Sequence, residues 1–168
     1  MTKTQLLKII KRITLQISIL KSQLLLLRKP IKYIIIHHTA TSRDFTKYIT
    51  INKNHKKKWN FKSQLGQYCG YTYFIEGDGK VTQARLDMGV GAHTRGHNKK
   101  TIGICLSGSF SKERPAKEQL GALEMLLNEK IVKYGLNKNQ IKGHRDFSAT
   151  ICPGDSLYKW IQEFKGRL

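Results

Sequence analysis

Among the six histidines and three cysteines of this 168-residue chain, His37, His144 and Cys152 are placed where they could hold a catalytic metal. Two imidazoles and a thiolate, with a fourth position left to water, make up the donor set of a zinc site that works on a substrate rather than a closed structural one. Such a centre activates water and polarises a carbonyl. His37 follows the apolar run 31–36, and His144 follows the short run 140–142. Both are expected at strand ends, where open α/β sheets place their sites. Cys152 lies eight residues beyond His144, in a loop pinned by Pro153 and Gly154, long enough to fold back and bring sulfur beside imidazole. Spacing alone leaves a plainer reading open. A histidine is more often a surface or satisfied core residue, and two histidines with a distant cysteine also arise by chance.

The elements that must position these residues are legible from patterning. Residues 31–36 are apolar and β-branched, as in a buried central strand. Residues 44–57 read as a helix with Phe45, Tyr48 and Ile49 on one face and His55 to Lys58 at a basic end. Residues 70–75 read as a strand, which Gly77-Asp78-Gly79 turns into residues 80–84 as a hairpin. A loop rich in Gly, His and Asn spans 89–99, and a second buried strand spans 101–106. Pro115 opens a helix with the stripe Leu120, Leu123, Leu127, Ile131 and Tyr134, ending at Gly135. Leu157, Trp160, Ile161 and Phe164 mark a last helix. Strands interleaved with helices, plus one hairpin, imply an α/β domain over 30–168 with a central mixed β-sheet flanked by helices.

Residues 1–29 form a separate segment, an N-terminal basic amphipathic helix over 4–28. Leu6, Ile10, Ile13, Ile17, Leu20, Leu24 and Leu27 alternate spacings of four and three, an a/d seam. Leu7, Leu15, Ile19, Leu25 and Leu26 widen the apolar face, and Lys8, Lys11, Arg12, Lys21 and Arg28 supply charge with no acid among them. The helix suits docking on its own domain or self-association and, behind these, an anionic membrane surface. Pro30 ends it.

Lys and Arg total 31 against 11 Asp and Glu, a net charge of +20. That excess draws a chain to polyanions: nucleic acid, anionic lipid or an anionic cell wall. No helix-turn-helix, paired zinc-finger spacing or aromatic-basic RNA motif is present, so no specific nucleic-acid partner is expected. Lys53, Lys56, Lys57, Lys58 and Lys62 read as a solvated face. Cys69 and Cys105 read as small buried hydrophobes, and an odd, sparse cysteine set fits a reducing compartment. No stretch is apolar long enough to span a bilayer. The run 13–20 is interrupted by Thr14, Gln16 and Ser18 with no cleavage site after it, so no convincing signal peptide is read.

Five segments then occur in one order: Ile35-Ile36-His37-His38-Thr39-Ala40; 70–75 with Gly77-Asp78-Gly79; Gly91-Ala92-His93-Thr94-Arg95-Gly96-His97-Asn98; Ile102-Gly103-Ile104; and Gly143-His144-Arg145-Asp146 through Cys152-Pro153-Gly154. Together they resemble the type-2 N-acetylmuramoyl-L-alanine amidases, including phage lysozyme-type amidases and animal peptidoglycan-recognition proteins, over residues 31–165. The resemblance implies Zn2+ held by His37, His144 and Cys152, and a catalytic Tyr71 facing the scissile carbonyl. Many phage members carry lysine two residues before the ligand cysteine. Thr150 stands there in this chain, as in recognition-type amidases, and implies a neutral donor in place of a charged one. Asp146 is read as a partner that orients a ligand or, equally, as a loop cap or a partner for Arg145. His38, His55, Trp59, His93 and Asn98 are the groove candidates for a muramyl-peptide, with His38 turned to the opposite face if its strand continues. The implied function is hydrolysis of the amide between N-acetylmuramic acid and L-alanine by a protein made in the cytoplasm and acting on the cell wall, a phage, prophage or bacterial lysin. The alternative is a module that binds peptidoglycan without cutting it.

Overall fold

The computed structural model describes residues 2–27 and 31–168, without the side chains of 21–27. The expected helix stop at Pro30 and the outer seam residues Leu24 and Leu27 lie outside that description. Two units divide the chain, Met1–Pro30 and Ile31–Leu168. In the first, α1 (Lys3–Leu27) is one continuous helix. Its seam residues Leu6, Ile10, Ile13, Ile17 and Leu20 are solvent-exposed.

In the second unit a five-stranded sheet has the order β3-β2-β4-β1-β5. The strands are β1 (Tyr33–His38), β2 (Tyr73–Ile75), β3 (Val81–Gln83), β4 (Thr101–Leu106) and β5 (Ile141–Gly143). β1 runs parallel to β4 and β5, β2 parallel to β4, and β2 antiparallel to β3. Side chains alternate between faces. Ile34, Ile36, Ile102, Ile104 and Leu106 face a core closed by Leu123 and Leu127 of α3 (Lys117–Tyr134) and by Leu157, Ile161 and Phe164 of α4 (Asp155–Gly166). Each such side chain, fully buried, stabilises the fold by about 1.5–3 kcal/mol relative to exposure. The other face carries Ile35 and His37 of β1, Phe74 of β2, and Gly103 and Cys105 of β4. There α2 (Tyr48–Trp59) sets Tyr48 against Phe74, ring centroids 6.1 Å apart.

The structure corrects two boundaries. The helix read over 44–57 begins only at Tyr48, because residues 42–46 close a turn in which the Thr46 N–H donates to the Ser42 carbonyl at 3.1 Å. Phe45 therefore precedes α2 and is 86% exposed, and Ile49 is also exposed, so the expected apolar face is not buried. What α2 turns inward is polar: the Tyr48 hydroxyl donates to Gln67, Asn52 accepts from the Tyr68 and Cys69 N–H groups, and His55 Nδ1 accepts from the Gly70 N–H. These three lie at i, i+4 and i+7, one stripe of a helix. The strand read over 70–75 is ladder-paired only from Tyr73, because Gly70 bonds to the 89–99 loop, its carbonyl accepting from the Ala92 N–H at 2.9 Å.

Arg85 is 1% exposed and ties three loops together, donating to the carbonyls of Cys69, Val90 and Phe61 at 2.7, 3.0 and 2.7 Å.

Candidate metal centre and its cleft

Strand β1 runs on through His37 and His38, so the pair splits across the sheet. His37 faces the α2 side. His38 is 6% exposed on the helical core side, where its Nδ1 accepts the Phe110 N–H at 3.2 Å. That places it in packing rather than in the groove. β5 pairs with β1 and delivers His144 at the start of a single 3-10 turn, His144–Asp146. The His144 and His37 ring centroids are 4.6 Å apart. The loop after the turn folds back as expected: the Arg145 N–H donates to the Cys152 carbonyl at 2.8 Å, and the Arg145 guanidinium donates to the Ile151 carbonyl and pairs with Asp155 at 2.8 Å. Asp146 takes the capping role, accepting from the Gly143 N–H at 2.9 Å and the Tyr158 hydroxyl at 2.7 Å.

The result is one cluster in which a ligand atom from each of His37, His144 and Cys152 lies within 4.8 Å of the others. Cys152 Sγ stands 3.8 Å from His37 Nδ1. Two ligands of one tetrahedral zinc, sulfur at about 2.3 Å and nitrogen at about 2.0 Å, stand about 3.5 Å apart. The donor set therefore fits a zinc-sized ion. Burial, reinforced by neighbouring imidazoles, holds His37 well below the usual histidine range, and burial lowers His144. Both are therefore neutral at pH 7, the form that ligation of a metal requires. Burial lifts the Cys152 thiol to about 11 despite the His38 N–H donating to its sulfur at 3.4 Å. The Arg145 charge lowers it too little to ionise it, whereas a metal cation bound at the sulfur would make it a thiolate at neutral pH.

Beside the cluster, reached through Tyr71 and His93, a cleft of about 310 Å³ is lined by Trp59, Tyr71, His93, Thr94, Arg95 and Asn98. The Tyr71 ring lies 5.2 Å from that of His37, and burial keeps its hydroxyl protonated far above neutrality. Its hydroxyl neighbours the Cys105 thiol, whose strand position is opposite His37. Cys105 is thus buried as read from sequence, yet it forms the floor of the site. Thr150 Oγ accepts the Cys152 N–H at 3.2 Å. His55 is set back from the opening, its ring 4.4 Å from Trp59 and 5.6 Å from Tyr71. Asn98 Oδ1 accepts the His93 and Thr94 N–H groups at 2.8 and 2.9 Å, fixing the rim. Sequence reasoning missed Thr94, Thr101 and the polar stripe of α2. Only the stripe's helical spacing carried a signal for them.

Fold and cluster together define an α/β protein with a metal-capable His–His–Cys centre at the ends of parallel strands. A family model described as N-acetylmuramoyl-L-alanine amidase matches residues 27–155. A peptidoglycan recognition protein of Trichoplusia ni is 32% identical over 151 residues, covering 82% of this chain and 77% of that protein. An N-acetylmuramoyl-L-alanine amidase of Sus scrofa is 31% identical over 141 residues, covering 81% of this chain and 24% of the pig protein. This chain thus spans about a quarter of that relative. A solved structure of the endolysin N-acetylmuramoyl-L-alanine amidase LysCS from Clostridium intestinale URNW matches with a TM-score of 0.67 at 27% identity, covering 79% of this chain and 81% of that one. The chain belongs to the N-acetylmuramoyl-L-alanine amidase family.

Proposed function

We propose that residues 31–168 form a zinc-dependent amidase that cuts the bond between N-acetylmuramic acid and L-alanine in peptidoglycan. The observation that carries this reading is the convergence of His37, His144 and Cys152 within 4.8 Å at the edge of a cleft. When bound there, zinc would supply Lewis acidity and a means of activating water. The rest falls to the chain. Tyr71, held protonated by burial, donates to the carbonyl oxygen as negative charge develops on it. Thr150 braces the Cys152 backbone and offers a neutral hydroxyl to the same side. Trp59, His93 and Asn98 line the groove for the muramyl-peptide, with His55 supporting Trp59 from behind.

The likeness to an endolysin amidase and the net charge of +20 support action as a lysin on an anionic wall, outside the cytoplasm. The exposed apolar seam of α1 is read as an association surface for a second copy or an anionic lipid surface. The relatives named as recognition proteins favour a second reading, a module that binds peptidoglycan without cutting it. The presence of Cys152 and Tyr71 weighs against it.

Mass analysis of digested murein decides between them. Free L-alanine amino termini should be released, a chelator should stop the release and added zinc restore it, and Cys152→Ala should abolish it. Binding to murein with no new amine would leave only the binding module, and release indifferent to chelator would sink the metal chemistry.

A further inference from the structure

Next to the three ligands stands a fourth imidazole, His93, in a slot shaped for it. A Cβ on Gly91 would come within 2.5 Å of the His93 ring and a Cβ on Gly103 within 2.6 Å, so both glycines leave the space the ring occupies. The ring's hydrogen bonds have a fixed direction. The Thr101 hydroxyl lies 2.5 Å from the His97 carbonyl, which can only accept, so its single hydrogen is used there. Towards His93 Nε2, at 3.4 Å, Thr101 Oγ can then only accept, and Nε2 must carry the hydrogen. A neutral imidazole has one N–H, which leaves His93 Nδ1 bare. That bare nitrogen lies 3.1 Å from His37 Nε2. Two lone pairs cannot face each other at that distance, so His37 Nε2 is the donor. The Thr94 hydroxyl, 3.0 Å from His93 Nδ1 and 3.4 Å from His37 Nε2, fits the same direction by donating to the first and accepting from the second. His37 Nδ1, 3.8 Å from Cys152 Sγ, then carries no hydrogen and its lone pair accepts from the thiol.

We infer that His93 is a positioning residue: through the chain Thr101–His93–His37 it locks His37 in the Nε2–H tautomer and aims the bare Nδ1 at the metal position. Ligating histidines usually take such an orienting partner from a carboxylate or a carbonyl; here a second imidazole does it. The role rests on the zinc reading above only in what Nδ1 is for. The tautomer itself is a property of the metal-free protein.

Nitrogen-15 NMR of the metal-free full chain tests it directly. His37 should show a protonated Nε2 and a pyridine-like Nδ1, and a protonated Nδ1 overturns the inference. Zinc affinity, read by competition with a chromophoric chelator, gives the second arm. His93→Ala should weaken binding by about 10- to 100-fold, and His93→Asn, whose amide oxygen accepts near the Nδ1 position, should recover most of the loss. Unchanged affinity in the alanine variant overturns the inference. Should that variant fail to fold, the spectrum of the unsubstituted protein still decides. A chain that shows the expected tautomer yet takes up no zinc counts against the amidase reading and not against His93, so the two failures stay apart.

Discussion

At the scale of single residues, the site depends on imidazoles held neutral by burial. Burial, helped by the charges of Lys58 and Arg85, lowers His55 to about 4, and burial together with His144 and Arg85 lowers His93 to about 3. In the unfolded chain each returns to about 6.5. Between those values the unfolded state binds more protons, so the folded state's advantage is complete above pH 6.5 and is lost as pH falls. Metal-free protein should therefore lose stability from about pH 6.5 downward, well before carboxylates titrate, at up to about 1.4 kcal/mol per pH unit for each such histidine. His55→Gln should remove one histidine's share of that slope between pH 6.5 and 4, as read by urea unfolding at several pH values. An unchanged slope would mean that His55 is not buried in this way. The ligand types and the strand-end positions were legible in the sequence. The face on which each adjacent histidine lies depended on whether β1 continued past Ile36, which only hydrogen bonding to β4 decides.

At the scale of elements, α3 is anchored to β2 and the loop after β3 by a buried charge cluster. Asp87 accepts from the Tyr73 and Tyr134 hydroxyls at 2.5 and 2.6 Å and pairs with Lys133 at 2.9 Å and Lys130 at 3.2 Å. Burial alone would raise the Asp87 carboxyl, but these hydrogen bonds and charges outweigh it and hold it at about 2. Lys130 has a side chain only 4% exposed. Lys130 also pairs with Glu129 at 2.7 Å, so Asp87→Asn should cost about 1–3 kcal/mol, because it strips one of two carboxylates from a buried ammonium. The double variant Asp87→Asn, Lys130→Met should be less destabilised than the single one. Chemical denaturation of the unsubstituted protein, Asp87→Asn, Lys130→Met and the double variant measures this, and additive losses would show that the pair is not coupled. Nothing in the sequence announced this cluster, since Asp87 sits in a loop and Lys130 and Lys133 look like the polar side of an amphipathic helix. By contrast β1, β4, α3 and α4 were legible, because burial on both sides of a strand or along one stripe of a helix leaves an apolar pattern. α2 was misread for the complementary reason: it packs through Tyr48, Asn52 and His55, and polar packing leaves no hydropathy signal.

At the scale of the whole molecule, residues 1–30 carry seven cations and no acid, over a third of the net charge of +20. They form their own unit. Removing them should shift the thermal midpoint of the remaining domain by less than the roughly 2–4 °C that 1 kcal/mol produces at this size, and leave hydrolysis of bare murein in place. It should abolish any sedimentation as a dimer or with anionic vesicles. A collapsed midpoint would assign α1 to the domain's core. The order of the sheet has one more consequence. β5 is a three-residue outer strand whose sole partner among the described residues is β1, yet His144 and Cys152 both hang from the chain that follows it, while His37 belongs to β1 itself. An ion shared by these side chains would clasp the molecule's last sixth to its centre, so that loading the site also tightens the border of the sheet.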